Sequence, residues 1–372
     1  MKLNSKKILI TGWVLILGLI IPLYPQQTKK PSEDLTDGPY IFYLNREAVV
    51  CSVIGDSVVT RRFKNKNAFQ VDVPAVKGLC VTIPAIPLQP PRDQFRTTEK
   101  VFAISDVHGQ FLRMKEILVG NRVMDPEFNW VFKKGHLVMV GDVFDRGPMV
   151  TECLWLLVHL ERQASRAGGR VHLLLGNHDQ MVIRGDLRYV NDRYKNISRK
   201  LFKIRYPDLF GPDTFLGRWL RFRPAVLRIN DTLFVHAGIH PHLVDQGQSI
   251  QAINRTVSRY MDSRSYVHAF RPLVSFIFGR NGVFWSRGYF QDEAYDPINR
   301  AQLLRVLKFY KAQRVVVGHT RHDLIATHMD GLVIGTAVNT EENQPAQGLL
   351  IMNGRFYRSD VRGDLTELFP VN

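Results

Sequence analysis

The stretch Leu137-Val-Met-Val-Gly-Asp-Val-Phe-Asp-Arg-Gly-Pro148 constrains this chain more than any other. Its apolar run, Leu137 to Val140, reads as a short buried strand. The run stops at Gly141 and delivers Asp142, Asp145 and Arg146 onto the turn behind it. Open α/β sheets bind ligands at the carboxyl ends of their strands, where a rigid support holds the reacting groups. The arrangement recurs four times. Val101 to Ser105 precedes Asp106-Val-His108-Gly109, and Val171 to Leu175 precedes Gly176-Asn177-His178-Asp179. Leu233 to Val235 precedes His236-Ala-Gly238, and Val315 to Val317 precedes Gly318-His319-Thr320. One such loop is an ordinary charged turn; five, expected to converge on one sheet edge, make a metal-ligand inventory.

The chain's 372 residues suffice for one large or two ordinary domains with a sizeable core. An apolar content of 45% excludes a disordered chain. The formal net charge of +16 suits phosphorylated substrates, nucleic acid or an anionic membrane, and equally a merely soluble basic surface. Lys2, Lys6 and Lys7 precede an uncharged apolar run from Ile8 to Tyr24. At ~1.5 Å per residue a helix of that run spans roughly 25 Å, close to a bilayer's hydrocarbon thickness. The run ends without the small residues of a cleavage site, so residues 1–25 read as an uncleaved anchor, the alternative being a signal whose removal secretes the protein. The lysines place the remainder outside the cytoplasm, in a periplasm-like compartment.

Residues 26–39 read as a polar tether. Residues 40–91 read as a small all-β module, with strands over Tyr40–Leu44, Ala48–Ile54, Ser57–Phe63, Phe69–Val73 and Leu79–Ile83 and a hairpin at Gly55-Asp56. Cys51 and Cys80 fall within it, as a disulfide or as two free thiols, and Cys153 occupies a core helix position. A catalytic domain is expected over 97–360. Its segment 181–230 interleaves arginines and lysines with aromatics, from Arg184 through Tyr189, Tyr194, Tyr206 and Trp219 to Arg228. Such mixing suits nucleic acid or a helical lid over an anionic substrate; its place between two ligand loops favours the lid, and no nucleic-acid partner is expected. Residues 299–313 read as a surface helix with Leu303, Leu304, Leu307 and Tyr310 inward.

The ligand types carry the chemistry. Sites mixing carboxylate and imidazole suit Mn, Fe or Zn. Asp106 and His108 alternate on an extended segment and reach one metal if Val107 points away. Asn177, His236 and His319 supply a neutral second set, and Asp142 can bridge two ions. Such a pair activates water and clamps a phosphoryl group. His178 follows a ligand and can protonate the leaving oxygen, with Asp145 fixing its tautomer. Arg146 and Arg287 offer planar forks to phosphate oxygens.

Asp106-x-His108-Gly109, Gly141-Asp-x-x-Asp-Arg-Gly147, Gly176-Asn-His178, His236-x-Gly238 and Gly318-His319 resemble the motif series of calcineurin-like metallophosphoesterases. Asp-Arg-Gly147 points to the phosphoprotein phosphatase branch. Gly185-Asp-Leu-Arg-Tyr-Val190 and Trp285-Ser-Arg-Gly-Tyr289 resemble Shewanella-like protein phosphatases. The resemblance implies a four-layer α/β/β/α sandwich. It implies a first metal on Asp106, His108 and Asp142, and a second on Asp142, Asn177, His236 and His319, manganese first and iron or zinc as alternatives. It also implies a His178–Asp145 acid dyad, with Arg146 and Arg287 on phosphate. Asp179 stands where glutamate is usual and Ala237 where a second glycine is usual, which bears on substrate fit. Arg321 stands where broader members carry a further histidine, which favours the phosphoprotein branch.

The expected function is hydrolysis of phosphate monoesters, on phosphoproteins first, by a hydroxide held on two metals. Symmetrical diadenosine tetraphosphatases, which share the core motifs, give the alternative. A non-catalytic anion-binding membrane scaffold is the third reading.

Overall fold

The computed structural model describes residues 35–64, 67–85, 88–263, 270–338 and 346–369. The expected anchor at 1–25 lies outside them, and among the described residues no helix is long and apolar enough to cross a membrane.

Alternating β-branched residues build the N-terminal strands. Thr36–Leu44 (β1), Glu47–Ile54 (β2) and Ser57–Lys64 (β3) form one antiparallel sheet, with the β2–β3 turn at Gly55-Asp56. Phe69–Asp72 (β4) and Cys80–Ile83 (β5) form another. The five strands expected here are thus present, and β1 reaches back into the expected tether. They do not stand alone. Tyr40, Ile41, Val71, Val81 and Ile83 share one core with Leu154, Trp155 and Leu157 of the helix Val150–Arg166, and Trp155 Nε1 donates to the Pro39 carbonyl at 2.9 Å. All three cysteines are free thiols, and Cys51 and Cys80 lie in different sheets.

The larger body is two six-stranded sheets. Gln94–Phe95 (β6) precedes Val101–Ile104 (β7), Phe111–Gly120 (α1), His136–Val140 (β8), Val150–Arg166 (α2), Arg170–Leu174 (β9) and Asn177–Ile183 (α3). Val226–Ile229 (β10), Thr232–Val235 (β11), Arg314–Arg321 (β12), Ala326–His328 (β13) and Val333–Ala337 (β14) follow. Gly348–Met352 (β15), Arg355–Ser359 (β16) and Leu365–Glu367 (β17) close the chain. The first sheet runs β17-β16-β15-β7-β8-β9 and the second β13-β14-β12-β11-β10-β6. Both outer limits lie beyond the expected 97–360, since β6 and β17 are strands of these sheets.

Strand periodicity of two decides which sheet face each residue serves. Val101, Ala103, Val138, Val140 and Leu174 of the first sheet meet Leu227, Ile229, Phe234, Val316 and Ile334 of the second. Their sequence neighbours Phe102, Ile104, Leu137 and Met139, and Leu233, Val235, Val315 and Val317, belong to the core that the helices share. Strands buried on both faces must be apolar throughout, which is why the sequence shows runs here rather than alternation.

Two expectations about the strands and the 299–313 helix need correction. The five ligand loops leave two sheets, not one edge: β7, β8 and β9 lie in the first, β11 and β12 in the second. The β10–β11 hairpin explains this, because it starts a new antiparallel pairing rather than extending β9. In the helix Arg300–Phe309, Leu304 is 40% exposed, and Val306 joins Leu303, Leu307 and Tyr310 inside. At 100° per residue, 303, 306, 307 and 310 share a face that 304 leaves.

The segment 181–230 is a wedge more than a lid. Tyr194, Tyr206, Phe210, Phe215 and Trp219 are buried, and Phe202 and Phe210 meet Tyr40 edge-on with centroids 5.3 and 6.1 Å away. Trp219 Nε1 and Arg223 Nη1 both bind Glu161 of α2, at 2.6 and 2.7 Å. The aromatics that interleave the basic residues are therefore largely core, and the segment's last residues are β10.

Candidate metal centre

Each candidate ligand sits where a strand gives way to a turn. Asp106 and His108 follow β7, Asp142 follows β8, Asn177 opens α3 after β9, His236 follows β11 and His319 lies near the end of β12. Asp106, His108, Asp142 and His319 adopt left-handed φ of 52°, 43°, 58° and 61°, and Asp145 and Arg146 follow at 74° and 63°. Non-glycine residues rarely occupy this region, at about 1–3 kcal/mol each, and such positions cluster where function demands them. Backbone bonds hold the turns: Asp106 N donates to Gly141 O and His108 N to Asp142 O, both at 3.0 Å. At Gly176 a Cβ would collide with the Asp142 carboxylate, and at Gly318 with that of Asp106, so both must be glycine.

The structure brings all six expected ligands together. Asp142 Oδ2 lies 3.7 Å from His108 Nε2 and 3.3 Å from His236 Nε2. Asn177 Oδ1 lies 2.9 Å from His236 Nε2 and 2.9 Å from His319 Nδ1. Asp106 Oδ2 accepts the His319 amide at 3.2 Å. Ligand atoms of His108, Asp142 and His178, and of Asp142, His236 and His319, lie within 4.8 Å of one another, with Asp142 in both groups. His178 thus stands nearer the first group than Asp106 does. Its Nδ1 is taken by Asp145 Oδ2 at 2.6 Å, which leaves Nε2 as its other ring nitrogen.

The outer nitrogen of each histidine tests whether a cation fits. His108 Nδ1 donates to Phe144 O and His236 Nδ1 to Val140 O, each at 2.8 Å, and His319 Nε2 donates to Trp285 O at 3.1 Å. A carbonyl can only accept, so each outer nitrogen carries a hydrogen, and in His108 and His319, both held below their ordinary values, the other nitrogen turns its lone pair inward. His319 Nδ1 and Asn177 Oδ1 then confront each other as two acceptors, an arrangement that a divalent cation resolves. The donor set of carboxylate, amide oxygen and imidazole fits Mn, Fe or Zn.

Charge in the cluster follows from burial and neighbours. Burial pushes Asp106 up to about 6 and His108 down to about 3. Burial opposes ionisation of Asp142, but His236, His178 and His108 around it hold its carboxyl well below the usual range. Burial likewise opposes charge on His236, yet Asp142 and Asp106 raise it to about 9. His319 is held well below its usual value by burial and by His236. For His178, burial is outweighed by the Asp142 charge and the Asp145 hydrogen bond, so it is raised.

The two expected phosphate arginines flank the cluster. Exposed Arg146 is an electrostatic neighbour of His108 and His178; its amide donates to Tyr189 O and its carbonyl accepts from Asn191 Nδ2, each at 2.9 Å. Half-buried Arg287 is a neighbour of His319 and lies 3.7 Å from Asp292 Oδ2.

Asp179, read from the sequence only as a departure, holds the site together. Its carboxylate accepts the backbone amides of Gly176, Asp142, Val143 and Phe144 at 2.7 to 3.1 Å. Nothing in the residue pattern distinguishes such an anchor from a substrate contact. Tyr189, 49% exposed with its ring centroid 5.1 Å from that of His178, forms an aromatic wall beside the site, where the sequence had placed it in a motif and in the basic-aromatic segment.

Residues 99–322, more than half the chain, match the calcineurin-like phosphoesterase family. Shewanella-like protein phosphatase 1 of Plasmodium berghei is 28% identical over 231 residues, which cover 62% of this chain and 63% of that protein. Shewanella-like protein phosphatase 2 of Arabidopsis thaliana is 26% identical, over 62% of this chain and 68% of its own length. The chain therefore spans about two thirds of these relatives. The crystal structure of a cold-active protein-tyrosine phosphatase from a psychrophilic Shewanella superposes with a TM-score of 0.82 at 32% identity, covering 90% of this chain and 99% of that one. More distantly, a symmetrical bis(5'-nucleosyl)-tetraphosphatase of Janthinobacterium is 28% identical over 45% of this chain and 53% of its own.

Proposed function

The chain belongs to the calcineurin-like phosphoesterase family and is a phosphatase; from that premise we propose that it hydrolyses phosphate monoesters on proteins, with phosphotyrosine among its substrates. The carrying observation is the two groups of ligand atoms that meet at Asp142. In this reading Asp106, His108 and Asp142 hold one divalent ion and Asp142, Asn177, His236 and His319 the other. When bound, such ions supply Lewis-acid charge to the phosphoryl oxygens and activate water.

The chain's own residues do the rest. Arg146 and Arg287 orient the phosphate from opposite sides of the cluster. His178, raised by the Asp142 charge and the Asp145 hydrogen bond on its Nδ1, gives a proton from Nε2 to the leaving oxygen. Tyr189 stands beside it and can flank an aromatic leaving group. That wall and the similarity to a protein-tyrosine phosphatase support phosphotyrosine. A panel of phosphotyrosyl, phosphoseryl and phosphothreonyl peptides and diadenosine tetraphosphate tests the reading. We expect release of phosphate from peptides; turnover of the dinucleotide alone establishes the second reading, which the tetraphosphatase relatives favour.

A further inference from the structure

Two imidazoles are built into the apolar layer between the sheets. His136 opens β8, at the end opposite Asp142, and His172 lies within β9. The two strands run parallel, with His136 opposite Arg170 and Val138 opposite His172. A period of two puts His136 on the face of Val138 and Val140, and His172 on that of Leu174. Those three residues meet the second sheet, so both histidines lie on the face that the sheets share. His172 Nε2 and His136 Nδ1 are 3.0 Å apart, and the two residues are only 5% and 6% exposed. Phe95 of β6, in the second sheet, meets both rings edge-on, with centroids 5.4 Å from His136 and 4.8 Å from His172.

β6 is two residues long and forms the edge of its sheet, where it pairs with β10. It also carries the chain from the N-terminal sheets into β7. The Arg228 amide donates to Asp93 O at 3.0 Å and the Asn230 amide to Phe95 O at 2.9 Å. So short an edge strand belongs to the low-stability end of a fold, and its order depends on side-chain packing. Phe95 supplies that packing, on the imidazole pair and on the apolar layer.

One nitrogen of the pair donates and the other accepts, so the bond needs at least one neutral ring. Two protonated rings would set N–H against N–H, and even one puts a charge into an apolar layer. The charged neighbours oppose it. Arg170 on β9 faces both rings, and Arg223 of the wedge, itself bound to Glu161, faces His172. A cavity of about 690 Å³ opens beside Phe95 and His136 and is lined also by Arg96, Glu99, Lys134 and Arg170.

We propose that the His136–His172 pair is an acid-released latch. With the rings neutral it holds Phe95 and keeps β6 on the edge of the second sheet; protonation frees β6 and loosens the joint between the N-terminal sheets and β7. Burial pushes His136 down to about 4, and Arg170 adds to this. His172 is held well below its ordinary value by burial, by His136 and by the two arginines. Because both are depressed below the ordinary 6.5, the stability that the neutral pair contributes is complete above that pH and is lost as pH falls toward 4.

Amide hydrogen exchange of the full chain, corrected for the intrinsic pH dependence and followed from pH 6.5 toward pH 4, tests the latch in wild type, His136→Gln and His172→Gln. Glutamine keeps a hydrogen-bonding group and takes up no proton. We expect protection of the Arg228 and Asn230 amides to fall about tenfold or more in wild type, ahead of the amides of β7 and β8, and to change far less in either variant. Equal losses in all three proteins would overturn the proposal. The wild-type imidazole resonances decide even where neither variant folds. Both rings are expected to stay neutral well below pH 6.5; titration of both near 6.5 with β6 still protected would overturn the latch.

Discussion

Two buried polar clusters, the ligand set around Asp142 and the group of Asp37, Tyr40, Thr151, Glu152 and Tyr206, are satisfied in opposite ways. In the ligand cluster the outer nitrogens of His108, His236 and His319 are fixed by backbone carbonyls, and Asp179 fixes the Asp142 loop through four amides. Inward-facing lone pairs are left over for a cation. In the second cluster Asp37 Oδ1, both Glu152 carboxylate oxygens and Tyr206 Oη find no hydrogen-bond partner among the described residues. The first arrangement spends conformational strain, at Asp106, His108, Asp142 and His319, on chemistry. The second joins β1 to α2 through Tyr40 and Thr151. Changes in the first should therefore cost turnover and spare the fold, and changes in the second should do the reverse.

The largest effect is expected from Asp142→Asn, which removes the carboxylate common to both ligand groups. Turnover should fall by on the order of a thousandfold or more, with the circular dichroism spectrum unchanged; a variant that unfolds instead would erase the contrast. His178→Asn should lower kcat about a hundredfold or more, with KM less affected. In the second cluster, Tyr40→Phe keeps the ring but removes the donor to Asp37, and chemical denaturation should show a loss of about 1–3 kcal/mol with kcat at pH 6 near wild type. The smallest effect belongs to neither cluster: Leu304→Ser should stay within about 0.5 kcal/mol, whereas Val306→Ala should cost about 2 kcal/mol.

The ligand cluster was legible because each of its members sits beside a strand end, where an apolar run stops within four residues of a glycine. Periodicity locates such points without knowledge of which strands pair. It could not divide the strands between two sheets, because runs buried on both faces carry no record of which face meets which neighbour. Leu304 was misplaced because four apolar residues at helical spacing do not say how wide the buried stripe is. The second cluster was invisible for a different reason. Tyr40 and Thr151 meet only through tertiary packing, and Asp37 fell in a stretch whose polar composition reads as a tether. The aromatics of the wedge looked like a binding surface because burial, not order in the chain, decides whether an aromatic beside an arginine is core or contact.

We propose that the side chains converging on Asp142 hold two divalent ions. Elemental analysis of the purified, active chain measures this directly, alongside Asp142→Asn. We expect about two ions of manganese, iron or zinc per wild-type chain and a clear deficit in the variant. Full turnover in a chain stripped to well below one ion would contradict it.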